Sequence, residues 1–559
     1  MLEKEVLNLL TSAGIKADES KLELPTQKEF GDIAFPCFEL AKIEKRNPVE
    51  IARNIQQKIK PEKDSPIERV EAKGGYVNFF YNYSRFAEKV LLSATKKPSN
   101  QLKEKILVEF SQPNPVHSMH IGHARGTFLG DSLCNIYDYL GHKVVRANLM
   151  NDVGLQVAKL VVAYEMWAKN KKIEGKPDFW LWQYYVKFHE EAKEKPELEE
   201  KAREMLRKFE ILHDKKVSAV WNRVVRFVIK GFEETYKKLG IKFDVYLFES
   251  DYRKSGKKLV DEAIKKGIAF KTADGAIVSK LEKYGIPDTV ILRSDGTGLY
   301  MTSDLGLTVH KFERYKLDSS VWVVATQQNL HFKQLFKLLE LLGYEWAKNC
   351  DHFSFEHINL PEGKMSSREG RAVMLDEVIS KLVEMAKEEV AKRNKDVSEK
   401  EKQRLAEQIG IGALKYAIVR IEPENLITFD WKQMLSFDGN TGPYVQYAYT
   451  RCSSILKKAG KWKNVYSTKE MKNEEKNLVS VLGRFHNTVN ESANSMKPHL
   501  VCNYLYELTT ALNNFYEKCP VLKADSVQQK NFRLTLVNTT KDVLKQGMQL
   551  VGMEAPERM

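Results

Sequence analysis

Residues 117–126, with the sequence HSMHIGHARG, join an apolar strand to an amphipathic helix in our prediction. The strand is Lys105–Phe110, an apolar run typical of buried parallel strands. The first free amides of the helix and its positive dipole end favour a phosphate, and Gly122 leaves the backbone open to it. His120 and His123 are three residues apart, so both can point at one bound triphosphate. Because so short a match also occurs by chance, other parts of the chain must decide.

Composition indicates a multidomain globular protein with a polyanionic partner. The 559 residues, 43% of them hydrophobic, are enough for several buried cores. The formal net charge of +14 favours a nucleic acid, although a generally basic surface would give the same number. The six cysteines are widely spaced, which predicts neither a zinc site nor disulfides and fits a cytoplasmic location. Without a leader pattern or a long apolar run, we expect no export and no membrane anchor.

The chain pattern predicts an α/β multidomain fold. A second strand at Lys143–Leu149 completes a βαβ unit, whose active crevice lies at the carboxyl ends of its strands. Beyond residue 375, helical periodicity replaces strand signals, which indicates an α-helical bundle. Further strands are predicted at Phe243–Phe248, Val290–Arg293, Leu299–Met301 and Val321–Ala325.

We predict four regions from these patterns. They are a small N-terminal α/β domain at 1–98, a Rossmann-type parallel-sheet catalytic core at 99–372, a helical connection at 373–424 and an α-helical bundle at 425–559. Inside the first domain, Gly31–Ala34 is expected to open a helix. Inside the core, the mixed-charge segment from about 157 to 235 is expected to be a helical insertion.

A second loop rich in glycine and lysine, EGKMSSREG, occupies residues 362–370. Lys364 in this loop would neutralise the charge that develops on a leaving pyrophosphate, because nucleotidyl transfer depends on positioning and charge stabilisation. Taken alone, the loop would more simply be a surface turn. Its weight therefore comes from the histidine loop far upstream.

The two loops together resemble the two signature sequences of class I aminoacyl-tRNA synthetases. Flanking segments resemble arginyl-tRNA synthetases, and the resemblance covers nearly the whole chain. These segments are VEFSQPN (108–114), LYMTSDLG (299–306), ATQQNLH (325–331), FDGNTGPYVQY (437–447) and APERM (555–559).

The resemblance implies an enzyme that activates L-arginine with ATP and transfers it to tRNA(Arg). Magnesium would accompany ATP as part of the substrate, no permanent cofactor is expected, activation would wait for bound tRNA, and the enzyme would act as a monomer. The ATP site would comprise His120, Gly122, His123, Lys364, Met365, Ser366 and Arg368, of which His120, His123 and Lys364 are catalytic. Residues of the tRNA-binding bundle would include Asn440, Tyr444, Gln446, Tyr447 and Arg451.

The predicted arginine pocket agrees with the chemistry of its substrate. A planar guanidinium is always charged, so a selective pocket must offer carboxylates and a hydroxyl acceptor in a matching plane. By resemblance the pocket residues are Glu109, Asn114, Glu249, Tyr300, Asp304 and Gln328. Taken singly, Asp304 could instead cap a helix, Tyr300 could lie in the core and Glu249 could be an exposed loop acid.

Two positions depart from the family pattern. Ser367 stands where the second signature usually has another lysine, and His117 stands where many arginyl enzymes have a compensating lysine. We hypothesise that Arg368 supplies the missing charge, because a guanidinium stays charged at any working pH and an imidazole does not.

Other functions fit the residues less well. A class I synthetase for glutamate would need cations where this chain offers Glu249 and Asp304, and one for cysteine would be expected to use zinc ligands. A catalytically inactive tRNA-binding paralogue would not need intact His120 and Lys364. A small nucleotidyltransferase with the same histidine loop would not explain the basic helical third of the chain.

Overall fold

This computed structural model describes residues 2–25, 27–98, 103–359, 373–393, 396–428, 431–463 and 465–559. Its strands are β1 (Ile33–Pro36), β2 (Ile67–Lys73), β3 (Tyr76–Tyr81), β4 (Lys105–Glu109), β5 (Lys143–Met150), β6 (Val245–Phe248), β7 (Ala269–Lys271), β8 (Ile277–Ser279), β9 (Val290–Leu292), β10 (Ser319–Ala325), β11 (Cys350–Phe355), β12 (Ile358–Asn359) and β13 (Ile427–Thr428).

The helices fall into an N-terminal group, a group around the central sheet and a C-terminal group. They are α1 (Leu2–Ser12), α2 (Phe38–Glu44), α3 (Pro48–Lys58), α4 (Tyr83–Ser93), α5 (Ile121–Leu140), α6 (Leu155–Ala163), α7 (Pro177–Glu194), α8 (Glu197–Glu210), α9 (Lys215–Leu239), α10 (Glu249–Lys265), α11 (Tyr300–Tyr315), α12 (Asn329–Leu342), α13 (Leu375–Arg393), α14 (Glu399–Val419), α15 (Trp431–Met434), α16 (Gly442–Ala459), α17 (Asn473–Gly483), α18 (Phe485–Asn494), α19 (His499–Lys518) and α20 (Val527–Leu550).

The central sheet has five parallel strands in the order β11-β10-β4-β5-β6. From β4 the chain moves outward to β5 and β6, then crosses to β10 and β11 on the other side. The strand order therefore reverses between β4 and β10, and in open parallel sheets a crevice forms at the carboxyl ends of such a strand pair. The predicted fold class is confirmed, with helices α6 to α9 inserted between β5 and β6 and helices dominating the chain beyond residue 375.

Helix α5 carries the histidine loop at its N-terminus and is buried on nearly every side. Two glycines allow this close packing. A Cβ atom at Gly130 would lie 2.3 Å from Phe110, and one at Gly126 would lie 2.9 Å from the Phe355 ring. On its far side the helix contacts the C-terminal bundle, where the Ser132 hydroxyl donates to the Leu550 carbonyl over 2.9 Å. Because α5 is packed on both sides, its N-terminus holds the histidines in a fixed position.

In the N-terminal domain the structure corrects one prediction. Residues Gly31–Ala34 do not open a helix, because Ile33–Pro36 forms strand β1 and pairs antiparallel with β3. Gly31 has φ +90°, and a Cβ atom there would lie 2.9 Å from the Phe79 carbonyl oxygen. A left-handed glycine packed against β3 starts a strand at this point, whereas the apolar pattern alone is shared with a helix.

A second correction concerns Leu299–Met301, which was expected to be a strand. The hairpin turn is present, since the Arg293 amide donates to the Thr297 carbonyl over 3.2 Å. Helix α11 nevertheless begins at Tyr300, because the Thr302 hydroxyl accepts from the Leu299 amide over 2.9 Å and donates to the Ile291 carbonyl over 2.6 Å. Threonine in the first turn of a helix competes successfully with strand pairing here.

The C-terminal third is helical as predicted, with one departure. The short strand β13 pairs in parallel with β12, so a strand lies beyond residue 375. Helices α17 and α18 follow each other directly and meet at Arg484. Within the described ranges, the helices are too short or too polar to cross a bilayer.

Candidate active site

The central sheet brings predicted site residues to one edge. Glu109 is the last residue of β4, Glu249 follows β6 directly, and Gln328 lies three residues beyond β10. Because the strands are parallel, their carboxyl ends meet at the same edge. The histidine loop follows β4 at this edge, beside the point where the strand order reverses. The candidate site therefore occupies the crevice expected for this topology.

His120 and His123 are fixed by hydrogen bonds at the start of α5. Nδ1 of His120 accepts from the Gly122 amide, and Nδ1 of His123 accepts from the His120 amide, each over 3.1 Å. A backbone amide can only donate, so each neutral ring must carry its proton on Nε2. The ring centroids are 3.8 Å apart. Both histidines thus present N–H donors for an anion.

Burial keeps these imidazoles uncharged. Burial, with a smaller contribution from the neighbouring His117 and His357, lowers the pKa of His120 to about 3. The pKa of His123 is well below its ordinary value for the same two reasons. At neutral pH the pair therefore acts through hydrogen bonds from neutral rings, which directs donors at a phosphate without placing two adjacent cations in the site.

The predicted backbone cradle is not available in this structure. The amide of Gly122 already donates to His120, and the amide of Ile121 donates to the Val373 carbonyl over 3.1 Å. The amide of His123 donates to the His120 carbonyl over 2.9 Å. The role of Gly122 in ATP binding stays a prediction, although in this structure its amide donates to the side chain of the N-cap residue His120. The imidazole N–H groups remain as donors at the start of α5.

His117 has the opposite tautomer. Its Nδ1 lies 3.0 Å from the Ser118 carbonyl oxygen, which can only accept, so Nδ1 carries the proton and Nε2 a lone pair. Burial lowers its pKa as well. A neutral His117 does not replace the charge of the lysine that many family members have at this position, which favours Arg368 as the source of that charge.

The three imidazoles also form a cluster that a metal ion would fit by distance, with ring nitrogens within 4.8 Å of one another. Coordination needs a lone pair on each nitrogen that faces the ion. His120 and His123 instead have their Nδ1 lone pairs occupied by amides and point Nε2–H groups outward. The cluster is therefore better suited to an anion than to a cation.

The histidine loop is joined to the segment that follows the second predicted loop. The Leu375 amide donates to the Met119 carbonyl over 2.9 Å, and His120 forms an antiparallel bridge with Met374. Residues 360–372, including Lys364, Met365, Ser366 and Arg368, lie outside the described residues, so their roles stay predictions. Their C-terminal flank is held at the histidine loop.

The predicted guanidinium pocket lies between α10 and α11. Glu249 is 3% exposed, and its Oε1 accepts from the Ser303 hydroxyl over 3.2 Å and from Arg253 over 3.1 Å. Its Oε2 is buried and has no hydrogen-bond partner among the described residues. Burial raises the pKa of Glu249 to about 7, against the opposing effect of Arg253. A buried carboxylate oxygen is thus free for a cationic ligand.

Asp304 and Tyr300 lie four residues apart on α11, on the same face of the helix. Oδ2 of Asp304 lies 2.7 Å from Nε2 of His331. Tyr300 is 61% exposed at the start of the helix. The negative charge of Asp304 raises the pKa of Glu249, and both carboxylates raise the pKa of Tyr300. The three predicted guanidinium ligands are therefore near one another.

The residues predicted to bind the α-amino and carboxylate end of the substrate arginine differ in their surroundings. Oδ1 of Asn114 is buried without a hydrogen-bond partner in the described part of the chain, and Gln328 is exposed in a short 3₁₀ turn. Glu109 is instead occupied: it forms a buried ion pair with Lys311 and accepts from Gln112 over 2.8 Å. In this structure the Glu109 carboxylate is therefore part of a buried ion pair at the end of β4.

The residues predicted to bind tRNA lie on α16 and just before it, and they differ in burial. Tyr444, Tyr447 and Arg451 are half-buried, and the Arg451 guanidinium lies 4.7 Å from the Tyr447 ring centroid. Gln446 is buried and donates to the carbonyl oxygens of Gln408 and Glu554, so it has no surface for RNA in this structure. Half-buried Asn440 accepts from Tyr416 over 2.6 Å.

Sequence reasoning missed the side chains that hold these groups. Arg253 is four residues from Glu249 on α10, a helical ion-pair spacing that would have indicated it. Glu210 reaches Arg253 from the end of α8, at 2.6 Å, and the sequence holds no signal for that contact. His331 lies in a segment that we used for the resemblance, but its pairing with Asp304 required the fold.

A parallel sheet whose strand order reverses, a histidine pair at the start of the first crossover helix and acidic residues at the carboxyl ends of the strands are features of a class I aminoacyl-tRNA synthetase. Three family models match the chain in sequence order. The class I (R) catalytic domain of tRNA synthetases matches residues 87–431, the arginyl-tRNA synthetase N-terminal domain matches residues 1–81 and the DALR anticodon-binding domain matches residues 445–559.

Curated relatives and solved structures agree with this class. The arginine–tRNA ligase of Halothermothrix orenii is 37% identical over 98% of this chain and 97% of its own, and that of Clostridioides difficile is 36% identical over 97% and 96%. The arginyl-tRNA synthetase structure of Thermus thermophilus matches with a TM-score of 0.88 at 26% identity, over 100% of both chains. One from Plasmodium falciparum, at 22% identity and a TM-score of 0.82, supports the fold.

The chain belongs to the arginyl-tRNA synthetase family. It is accordingly an enzyme of the ligase class, and the resemblance drawn from its motifs is confirmed.

Proposed function

We propose that this chain activates L-arginine with ATP and transfers the arginyl group to tRNA(Arg), with the crevice described above as its active site. The observation that carries the proposal is the buried Oε2 of Glu249, close to Asp304 and without a partner among the described residues, at the same sheet edge as the neutral N–H donors of His120 and His123. One side of the crevice thus suits a cation and the other suits a polyphosphate.

In the first step an oxygen of the arginine carboxylate attacks the α-phosphorus of ATP. The bond from phosphorus to the bridging oxygen breaks, pyrophosphate leaves with its electron pair, and an arginyl adenylate remains. The Nε2–H groups of His120 and His123 donate to phosphate oxygens on which charge builds up in the transition state. Lys364 and Arg368 are proposed to add positive charge there, and magnesium is proposed to accompany ATP as substrate.

The substrate arginine is proposed to be recognised at its two ends. Glu249, Asp304 and the Tyr300 hydroxyl would hold the guanidinium, and a planar cation suits two carboxylates in a dry pocket. Asn114 and Gln328 would hold the amino and carboxylate end. The free Oδ1 of Asn114 supports this assignment, because a buried amide oxygen without a partner is satisfied by a substrate N–H group.

In the second step a ribose hydroxyl at the 3′ end of the tRNA attacks the carbonyl carbon of the adenylate. The acyl ester forms, the carbonyl–phosphate bond breaks and AMP leaves. We propose that Tyr444, Tyr447 and Arg451 on α16 contact the tRNA, since their aromatic and cationic side chains lie together at the surface. Asn440 is retained as a flanking contact, and Gln446 is proposed to act from inside the bundle.

We further propose a monomeric, cytoplasmic enzyme. The cysteines are free and buried, which supports a reducing compartment. Size-exclusion chromatography with light scattering tests the oligomeric state, and a dimer at working concentration would contradict it.

Arginine-dependent exchange of pyrophosphate into ATP tests the proposed activity, with and without tRNA(Arg). Exchange that requires arginine supports the proposal. No exchange in either condition would overturn the enzymatic assignment, and exchange driven by another amino acid would overturn the specificity.

A further inference from the structure

Arg253 bridges two acidic residues from different parts of the chain. One terminal nitrogen donates to Oε1 of Glu249 over 3.1 Å, and the other lies 2.6 Å from Oε1 of Glu210. The side chain of Arg253 is 19% exposed, that of Glu249 is 3% exposed and that of Glu210 is 13% exposed. Ion pairs this well buried are screened little by solvent. An internal guanidinium is therefore already bound where the substrate guanidinium is expected.

The two oxygens of Glu249 have separate environments. Oε1 takes both internal donors, from Arg253 and from Ser303, whereas Oε2 is buried with no partner in the described part of the chain. Arg253 and Ser303 therefore both bind Oε1, and this arrangement fixes the carboxylate and leaves Oε2 without a partner among the described residues.

Hydrogen bonds made by the next residue, Ser250, also fix the backbone at Glu249. The Asp152 carboxylate accepts from the Ser250 amide over 2.9 Å and from the Ser250 hydroxyl over 2.7 Å. The start of α10 is thus fastened to the end of β5, and Arg253 is one turn further along the helix. The backbone and the side chain of Glu249 are positioned independently.

We propose that Arg253 is a positioning residue for arginine recognition: clamped by Glu210, it fixes the orientation of Glu249 and favours the carboxylate form, so that Oε2 meets the substrate guanidinium. The inference rests on the proposed role of Glu249 as a guanidinium ligand. It also assigns a task to the helical insertion, because Glu210 is the last residue of α8.

The charges around Glu249 explain why it needs a fixed cation. Burial, Asp304 on α11 and Asp152 after β5 all raise its pKa, and Arg253 is the one cation that opposes them in this balance. Tyr300 faces the same carboxylate from the start of α11, and Lys257 and Arg293 act on Glu210. Without Arg253, Glu249 would take up a proton at a higher pH and lose its attraction for a guanidinium.

The test is the Michaelis constant for arginine in tRNA-dependent pyrophosphate exchange, measured as the ratio of variant to wild type between pH 7 and pH 9. For Arg253→Met we expect a ratio of about five at pH 7, since a pKa displaced upward by one unit from about 7 lowers the ionised fraction from about one half to about one tenth. The ratio should fall towards about one at pH 9, where Glu249 ionises without help. The turnover number at saturating arginine should change little.

Conservative and matched variants separate a charge effect from a structural one. Arg253→Lys keeps the cation, so we expect it to remove most of the pH 7 defect. Lys254→Met removes an exposed cation from the next position of α10 and should leave the ratio near one at every pH. A ratio for Arg253→Met that is equally high at pH 7 and pH 9, or near one at both, would overturn the proposal.

A substitution of Glu249 itself distinguishes failure of this inference from failure of the proposed function. Glu249→Gln should raise the Michaelis constant for arginine at all pH values, because an amide cannot ionise. If it does not, Glu249 is not a guanidinium ligand and the proposed function of the pocket fails. If it does while Arg253→Met shows no pH-dependent ratio, the positioning role alone is wrong.

Discussion

The backbone amide of His120 donates to Nδ1 of His123 over 3.1 Å, and this contact fixes which nitrogen of the second ring faces the crevice. The same logic applies to His120, whose Nδ1 is taken by Gly122. At neutral pH both rings are therefore uncharged and carry an N–H group on Nε2.

Glutamine substitutions test this donor role. The amide nitrogen of glutamine lies near the position of imidazole Nε2, so His120→Gln and His123→Gln should keep a donor. We expect the corresponding alanine variants to lose about 10²–10³ in the rate of pyrophosphate exchange, and the glutamine variants to lose at least tenfold less. Single-turnover measurement of adenylate formation checks the values. Equal loss in both sets, with recovery in His120→Lys, would show that charge is what the site requires.

Glu249 should lower the free energy of unfolding of the protein at neutral and higher pH. Its folded pKa of about 7 lies above its ordinary value of 4.5, so its contribution is full below pH 4.5 and is lost as pH rises through 7. Glu249→Gln should therefore stabilise the protein at pH 8, by on the order of 2–3 kcal/mol, and by less than half as much at pH 5.5. Thermal unfolding at the two pH values checks this. An equal gain at both would contradict a titrating Glu249.

Lys176 should be critical for the junction between the insertion and α13. Its ammonium lies 2.9 Å from Asp178, which is fully buried, and 2.7 Å from Asp376 at the start of α13. Lys176→Met leaves Asp178 without its cation, and breaking a buried pair in this way costs about 3–5 kcal/mol. The double variant Lys176→Met/Asp178→Asn should recover part of the lost thermal stability. No recovery would show that an orphaned charge is not the cause.

Arg451 should contribute a phosphate contact to tRNA binding. Its guanidinium stacks near Tyr447 and donates to Asn513 over 2.7 Å. If it meets a phosphate, Arg451→Ala weakens tRNA binding and lowers the slope of log affinity against log salt by about one. Asn513→Ala keeps the charge and serves as the control. A lowered slope in the control, or an unchanged slope for Arg451→Ala, would contradict a direct phosphate contact.

The missing lysine charge is expected from Arg368 and not from His117. Burial lowers the pKa of His117, so at neutral pH it is uncharged. Arg368→Ala should therefore reduce pyrophosphate exchange more than His117→Ala, measured at saturating ATP and arginine. If His117→Ala alone is crippled, the assignment is wrong.

The sequence predicted the frame of this site well, because its main signals are local. The apolar run of β4, the helix after the histidines and the central strand Val321–Ala325 follow from hydrophobic pattern and length. The errors at Gly31–Ala34 and Leu299–Met301 arose where a single contact decides between strand and helix. In each case the deciding partner, Phe79 or Thr302, acts through a hydrogen-bonding or packing contact that periodicity does not record.

The details of the site depend on contacts between distant residues. Glu109 was expected to meet substrate and instead pairs with Lys311, some two hundred positions away and placed by α11. The amide of Gly122 was expected to meet phosphate and is taken by His120, because an imidazole at the N-cap can accept as a carboxylate does. Residue type and order identify the chemistry, and only the fold shows which donor and acceptor are left free.

A crystal structure determined with L-arginine and a non-hydrolysable ATP analogue tests the central claim most directly. The account predicts that a guanidinium nitrogen lies about 2.7–3.1 Å from Oε2 of Glu249, a charge-assisted hydrogen bond, while Arg253 stays on Oε1. Asp304 should bind the same guanidinium. A substrate guanidinium bound elsewhere, with Oε2 of Glu249 still without a partner, would contradict it.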